Sequence, residues 1–132
     1  MKQHGILNSH ISKVLSDMGH TDQLTIADCG LPIVQGTEKI DLAIRLGEPS
    51  FISVLKAVID DMKIERIILA EEIKQHNPDL LVEIQQIFDS QIEIAFIDHE
   101  SFKGQTAHSK AVIRTGEATP YANVILQSGV VF

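Results

Sequence analysis

The side chains able to move protons or hold a polar ligand are few and scattered: His20, Asp28, Glu71, Glu72, His99, Lys103, Glu117, Tyr121 and Asn123. His20 follows Gly19, the stop of an N-terminal helical pattern. A helix C-terminus favours the imidazolium, so an imidazole there can give a proton near neutral pH and take it back. A stabilising histidine at a helix end explains the same position, with Thr21 and Asp22 forming a turn. His99 and Lys103 are spaced i, i+4, so a helix brings both to one face, toward one polar ligand or toward solvent. Tyr121 and Asn123 bracket Ala122 after Pro120 and offer a hydroxyl and an amide that suit a polyhydroxylated ligand, although loop Tyr and Asn also simply pack or turn the chain.

Other chemistries lack their residues. The single cysteine, Cys29, leaves no internal disulfide and no thiolate cluster, and the expectation for it is a buried small side chain without a role. His4, His10, His76 and His108 share no metal-ligand spacing and read as surface or structural residues, so no metal is expected. No phosphate-binding loop, dinucleotide glycine fingerprint or serine elbow is present, and no cofactor is expected.

The elements that must position the candidates follow from hydrophobic period and capping. Asn8 or Ser9 caps a helix with Ile11, Val14, Leu15 and Met18 on one face, ended by Gly19. Leu24 to Ala27 reads as a buried strand ending at Asp28, and Lys39 to Ile44 as a second strand. Pro49-Ser50 opens a helix carrying Leu55, Val58, Ile59 and Met62, and Arg66 to Ala70 forms a third strand. Glu71 to His76 reads as a polar connection into Asn77-Pro78, a cap and a first-turn proline ahead of Leu81, Ile84, Ile87 and Phe88. Ile92, Ile94 and Phe96 alternate as a fourth strand, and Asp98 caps a short helix holding His99 and Lys103. Strands at Ala111 to Arg114 and Val124 to Leu126 flank the segment Thr115 to Asn123, and Val130 to Phe132 suggests a terminal strand.

Strands alternating with helices predict an α/β fold, one domain over residues 1–132 with a largely parallel sheet flanked by helices. Ligands of such sheets gather at the carboxyl ends of strands, and Asp28, Glu71, Glu72, His99 and the turn Thr115-Gly116-Glu117 all fall there. Each taken alone also serves as an ordinary turn or cap. The 132 residues, 44% hydrophobic, suffice for one core. A net charge of −7, with eleven Lys and Arg residues dispersed, argues against nucleic acid. The N-terminal stretch MKQHGILNSHISKVLSDMG is broken by polar residues too often for a signal core or a membrane span, so a cytoplasmic protein without membrane contact is expected.

The segments HGILNSHISKVLSDMGHTD, IADCGLP, KIDLAI, AEEIK, HESFK and AVIRTGEATPYANVILQSGV resemble, nearly end to end and in order, the D-ribose pyranase and fucose mutarotase family of small bacterial sugar-ring enzymes. Asp28-Cys29-Gly30-Leu31-Pro32 resembles the Asp-Ala-Gly-Leu-Pro of the ribose-acting branch, with Cys29 a small-for-small departure; the fucose branch typically has His-Phe before the proline. The resemblance implies interconversion of ribose ring forms by acid–base chemistry, feeding ribose catabolism. It implies His20 as the proton donor, with Asp28, His99, Tyr121, Ala122 (through its backbone) and Asn123 binding the sugar and Lys103 a less supported addition. It also implies ring-shaped homopentamers, some stacked as homodecamers, with sites between subunits. Anomer exchange on fucose and a non-catalytic ribose-binding accessory role are the alternatives.

Overall fold

The computed structural model describes all 132 residues. The helices at residues 9–17, 51–61 and 99–105 start where a side chain takes up a free N–H group of the first turn, whereas the Asn77 side chain, read as a cap, makes no such bond at the start of the helix from Pro78. The Asn8 side chain accepts from Ile11 N at 3.0 Å to begin α1 (Ser9–Asp17). The Ser50 hydroxyl accepts from Ser53 N at 3.2 Å to begin α2 (Phe51–Asp61), whose Phe51, Val54, Leu55 and Val58 make one buried stripe. Between them come β1 (Gln23–Ala27) and β2 (Lys39–Asp41). The chain continues through β3 (Ile64–Ala70), α3 (Ile73–His76), α4 (Pro78–Ile87), β4 (Glu93–Ile97) and α5 (His99–Gln105). A short 3₁₀ turn leads to β5 (Ser109–Arg114), and β6 (Val124–Ser128) closes the fold.

The strands form one sheet in the order β2-β5-β1-β6-β3-β4. The pairs β2·β5, β5·β1 and β3·β4 are parallel, while β6 is antiparallel to both neighbours, β1 and β3. The sheet is thus largely parallel, with one reversed strand near its middle. Because β6 runs backwards, its first residues lie beside the last residues of β1 and β3.

Alternation along the strands divides the buried side chains between two faces. Leu24, Ile26, Ile67, Leu69, Ile113, Val124 and Leu126 face the larger core with the apolar sides of α1, α2 and α4. Ala27, Ile68, Val112 and Ile125 face a smaller core closed by Phe102 of α5. The sheet is covered on both sides, which is why its central strands read as unbroken apolar runs.

Beyond shifts of one or two residues at strand ends, four features differ from the sequence reading. β2 stops at Asp41, and the chain instead folds back so that Arg45 and Glu48 bridge. The polar connection at residues 71–76 contains the single turn α3, anchored by fully buried Ile73. Residues 130–132 form no strand, and Val131 and Phe132 are exposed. α1 is ended by Met18 turning to extended backbone while its N–H still bonds Val14 O, so Gly19 lies beyond the cap. No helix is long and apolar enough to cross a membrane.

The fold-back at residues 42–49 rests on the turn after β5. Gly47 N donates to Gly116 O at 2.6 Å and Gly116 N to Pro49 O at 2.9 Å. A Cβ at Gly116 would run into the backbone carbonyls of Glu48 and Arg45, groups that cannot swing aside as a side chain does. Gly116→Ala is therefore expected to destabilise the fold by about 1–3 kcal/mol, read as a lower urea midpoint with unchanged slope.

Candidate functional site

At the end of the sheet where β1, β3, β4 and β5 finish, the first side chain after β1 is Asp28. Asn123, the residue before β6, is fully buried and meets Asp28 twice. Its Oδ1 accepts from Asp28 N and its Nδ2 donates to Asp28 Oδ2, both at 2.9 Å. Asp28 Oδ1 accepts from Gly30 N at 2.9 Å, so the carboxylate is fixed by donors on either side. Thr115, at the end of β5, ties the adjacent turn to β1, its N and Oγ1 both donating to Ala27 O.

The segment leading to Asn123 is clamped at two further points. Glu117 Oε2 accepts from Phe51 N at 3.1 Å, serving the start of α2, and its Oε1 accepts from the Thr119 hydroxyl at 2.9 Å. Asn77 Nδ2 donates to Thr119 Oγ1 and Pro120 O. Tyr121 is held with φ +56°, in the left-handed region that disfavours side chains. Ala122 is buried with no side-chain polar atom, which leaves only its backbone for a ligand.

Tyr121 forms an aromatic group with two histidines. The His99 ring meets it edge-on at 5.0 Å between centroids and stacks on Phe102 at 6.4 Å; His76 lies 5.4 Å away on another side. His76 is exposed, as its surface assignment predicts, yet it borders this group. Glu72 Oε1 accepts from His99 N at 3.1 Å. The remaining oxygen, Glu72 Oε2, and His99 Nδ1 are both buried and without a partner, polar atoms that ordinarily find one in a ligand, a water or each other. Glu71 faces outward and binds Lys74. Lys103 pairs with Glu100 at 2.6 Å, so its ammonium is engaged on α5 rather than with His99.

Cys29 is half-buried rather than enclosed and lines an open cleft of about 600 Å³ with Leu31, Ile33, Lys39 and Arg114. Arg114 Nε donates to Cys29 O at 3.1 Å and its Nη1 reaches Asp41 at 3.1 Å.

His20 lies at the other end of the sheet. It precedes β1, whose five residues span roughly 16 Å at about 3.3 Å each, and Thr21 N donates to the last residue of β6, Ser128, through its carbonyl. The partner of His20 is not the α1 terminus but Glu65, whose Oε2 lies 2.9 Å from Nε2. Glu65 is held below the usual carboxylate range by the Gln127 amide first and by His20 second. The sequence reading missed Glu65 and Gln127 because they come from β3 and β6, far away in the chain. Thr21 has φ +70°; it and Tyr121 are the two non-glycine residues with positive φ.

A family model described as the RbsD / FucU transport protein family matches residues 1–131. The chain belongs to this family. Within it, curated proteins named D-ribose pyranase from Exiguobacterium sibiricum and Bacillus cereus are 55% and 56% identical to the chain, each covered in full on both sides. The Bacillus subtilis RbsD structure, solved with D-ribose, is 50% identical, covers both chains fully and superimposes with a TM-score of 0.97. The fold of a Streptococcus pneumoniae fucose mutarotase, solved with L-fucose, is also shared: TM-score 0.79 at 24% identity, over 96% of this chain and 95% of that one.

Two consequences of the geometry are measurable. Asn123→Ala removes both bonds to Asp28 and leaves the Asp28 N–H and carboxylate short of partners, so unfolding free energy should fall by about 1–3 kcal/mol; a change within ~0.5 kcal/mol would show the pair to be idle. Asp98 caps α5, and its hydrogen bonds from the Ser101 hydroxyl and backbone pull its pKa below the ordinary 3.8. A lowered folded-state value means the cap's contribution is complete above pH 3.8 and is lost as pH falls through the lower folded value. The protection of Ser101 N, its exchange rate relative to the intrinsic rate at the same pH, should fall over that interval, and Asp98→Asn should remove that change in protection.

Proposed function

We propose that this chain is a cytoplasmic isomerase that interconverts the pyranose and furanose forms of D-ribose and so feeds ribose catabolism. Opening the cyclic hemiacetal requires a base to take the proton of the anomeric hydroxyl while an acid protonates the ring oxygen and the ring C–O bond breaks. Closing through a different hydroxyl runs the transfers in reverse, with no net redox change. The observation that carries the reading is the meeting of Asp28, His99, Tyr121 and Asn123 in one connected polar and aromatic group, in a chain 55% identical over its whole length to a protein named D-ribose pyranase.

In this reading Asp28, His99, Tyr121, the Ala122 backbone and Asn123 hold the sugar, Lys103 contributes at the margin, and His20 is the acid. The unpartnered His99 Nδ1 and Glu72 Oε2 supply further polar capacity on the same side. His20 cannot reach a sugar held at the opposite end of its own β1. The reading therefore includes a site shared between copies of the chain, in which His20 of one meets the sugar-holding group of another; the family resemblance makes that assembly a homopentamer, alone or stacked as a homodecamer.

Magnetisation-transfer NMR on ribose tests the reaction, since it reports ring-form and anomer exchange together. The wild type should accelerate pyranose–furanose exchange, and His20→Ala should lose about 10²–10⁴-fold of the acceleration while still binding ribose. Binding by the wild type without accelerated exchange would instead identify a sugar-binding accessory protein. Mixing His20→Ala with Asp28→Ala should rebuild roughly a quarter of the sites if two copies share each one; no recovery would confine the site to one chain.

A further inference from the structure

The turn bearing His20 sits against a row of side chains that the ring-opening chemistry has not used. Gln105 Nε2, at the end of α5, donates to Gln23 Oε1 at 2.8 Å. Gln23 Nε2 on β1 donates to Gln127 Oε1 on β6 at 3.3 Å. Gln127 Nε2 donates to Glu65 Oε1 on β3 at 2.9 Å. The three amides thus donate in one direction across the sheet, and the row ends on the Glu65 carboxylate, whose other oxygen meets His20 Nε2 at 2.9 Å. Successive hydrogen bonds of one polarity reinforce one another.

The backbone is also shaped for this contact. Ile64 lies opposite Ser128 and Arg66 opposite Gln127, with the register shifting between them, so Glu65 is the extra residue of a β-bulge. Bulges re-aim a side chain out of the regular alternation. On the facing segment Thr21 is held at φ +70°, a conformation a β-branched residue adopts only under constraint. Both partners of the pair are therefore presented by irregular backbone. With side chains 51% and 37% exposed, the ion pair does little for folding, so stability alone does not account for the row of amides and the bulge.

We propose that Glu65 is a positioning residue for His20, accepting the Nε2–H and thereby leaving Nδ1 as the nitrogen that exchanges a proton with the sugar. Two ring nitrogens distinguish the tautomers of a histidine, and the bond made by one decides the role of the other. His20 Nδ1 has no partner within the chain. Glu65, kept ionised by Gln127 and His20, remains an acceptor throughout the range in which an imidazole titrates. This assignment rests on the ring-opening reading for its activity readout but not for its spectroscopic one.

The test measures the His20 ring nitrogens by ¹⁵N NMR at ~pH 8.5, well above an ordinary histidine value of ~6.5, alongside ribose exchange. The wild type should show the Nε2–H form. Glu65→Ala should show a mixture of tautomers and a kcat lowered about 10- to 100-fold, no further than His20→Ala, with KM unchanged within about twofold. Glu65→Asp, which keeps a carboxylate that can only accept, should restore part of the Nε2–H form, whereas Glu65→Gln, whose single oxygen is taken by Gln127 Nε2, should turn its NH2 toward the imidazole and favour the Nδ1–H form. A folded Glu65→Ala protein that keeps the Nε2–H form, or keeps its kcat, overturns the assignment. Should that variant fail to fold, Gln127→Ala leaves Glu65 unanchored and should move both readouts the same way by less; unmoved readouts there overturn it equally. If the wild type accelerates no exchange, the ring-opening reading fails, while the tautomer measurement still decides whether Glu65 fixes the imidazole.

Discussion

The reversed strand β6, paired antiparallel between β1 and β3, is the constraint on which both ends of the molecule depend. In a wholly parallel sheet the residue before a strand lies at the opposite end from the residue after its neighbour. Reversing β6 brings Asn123 level with the end of β1, where its amide meets both the N–H and the carboxylate of Asp28. The same strand finishes beside the start of β1, where Ser128 O accepts from Thr21 N and Gln127 holds Glu65. One rigid element therefore fixes the segment from Thr115 to Asn123 at its beginning and the His20 turn at its end.

Polar groups at the two ends are held differently. Around Asp28 the carboxylate is half-buried but the Asn123 amide that holds it is enclosed, and removing either partner leaves a polar group there short of a bond. Around His20 the pair is half open to water, and its geometry comes from the amide row and the bulge rather than from burial. Each end also keeps one residue in the left-handed region, Tyr121 at +56° and Thr21 at +70°. Such conformations cost about 1–3 kcal/mol each and persist where the surroundings over-determine them. Tyr121 is over-determined by the clamps of Glu117 and Asn77 and by the rings of His76 and His99.

Local signals were readable in the sequence. Asn8, Ser50 and Asp98 cap the helices that the apolar spacing predicts, and the apolar runs of β1, β3 and β5 mark strands buried on both faces. Asp28, His99 and Thr115 fall at strand ends for the same local reason. The direction of β6 was not readable, because it depends on how the loop from Thr115 to Asn123 is clamped to α2 and α4, which are remote in the chain. Nor was the bulge at Glu65, since a charged residue inside an apolar strand looks like any edge or solvent-facing position. The apolar tail Val130-Val131-Phe132 resembled a strand by composition, but it runs on from β6, whose neighbours β1 and β3 are each already paired on both sides. Family resemblance supplied His20 as an acid, whereas position alone tied it to the α1 terminus, a link that the extended turn at Met18 breaks.

The length of β1 gives the two ends a definite relation. A strand paired on both sides does not bend enough to bring His20 to Asp28, so the proposed acid and the proposed sugar-holding group can work together only between copies of the chain. In that arrangement the His20–Glu65 pair would lose water to the neighbouring copy, and an ion pair that is weak in solvent strengthens as the effective dielectric falls. The bond between Glu65 and Nε2 would then tighten upon association, when orientation of the imidazole begins to matter. A turn anchored by backbone and amides, and left exposed in the single chain, suits a group whose chemical environment is completed from outside.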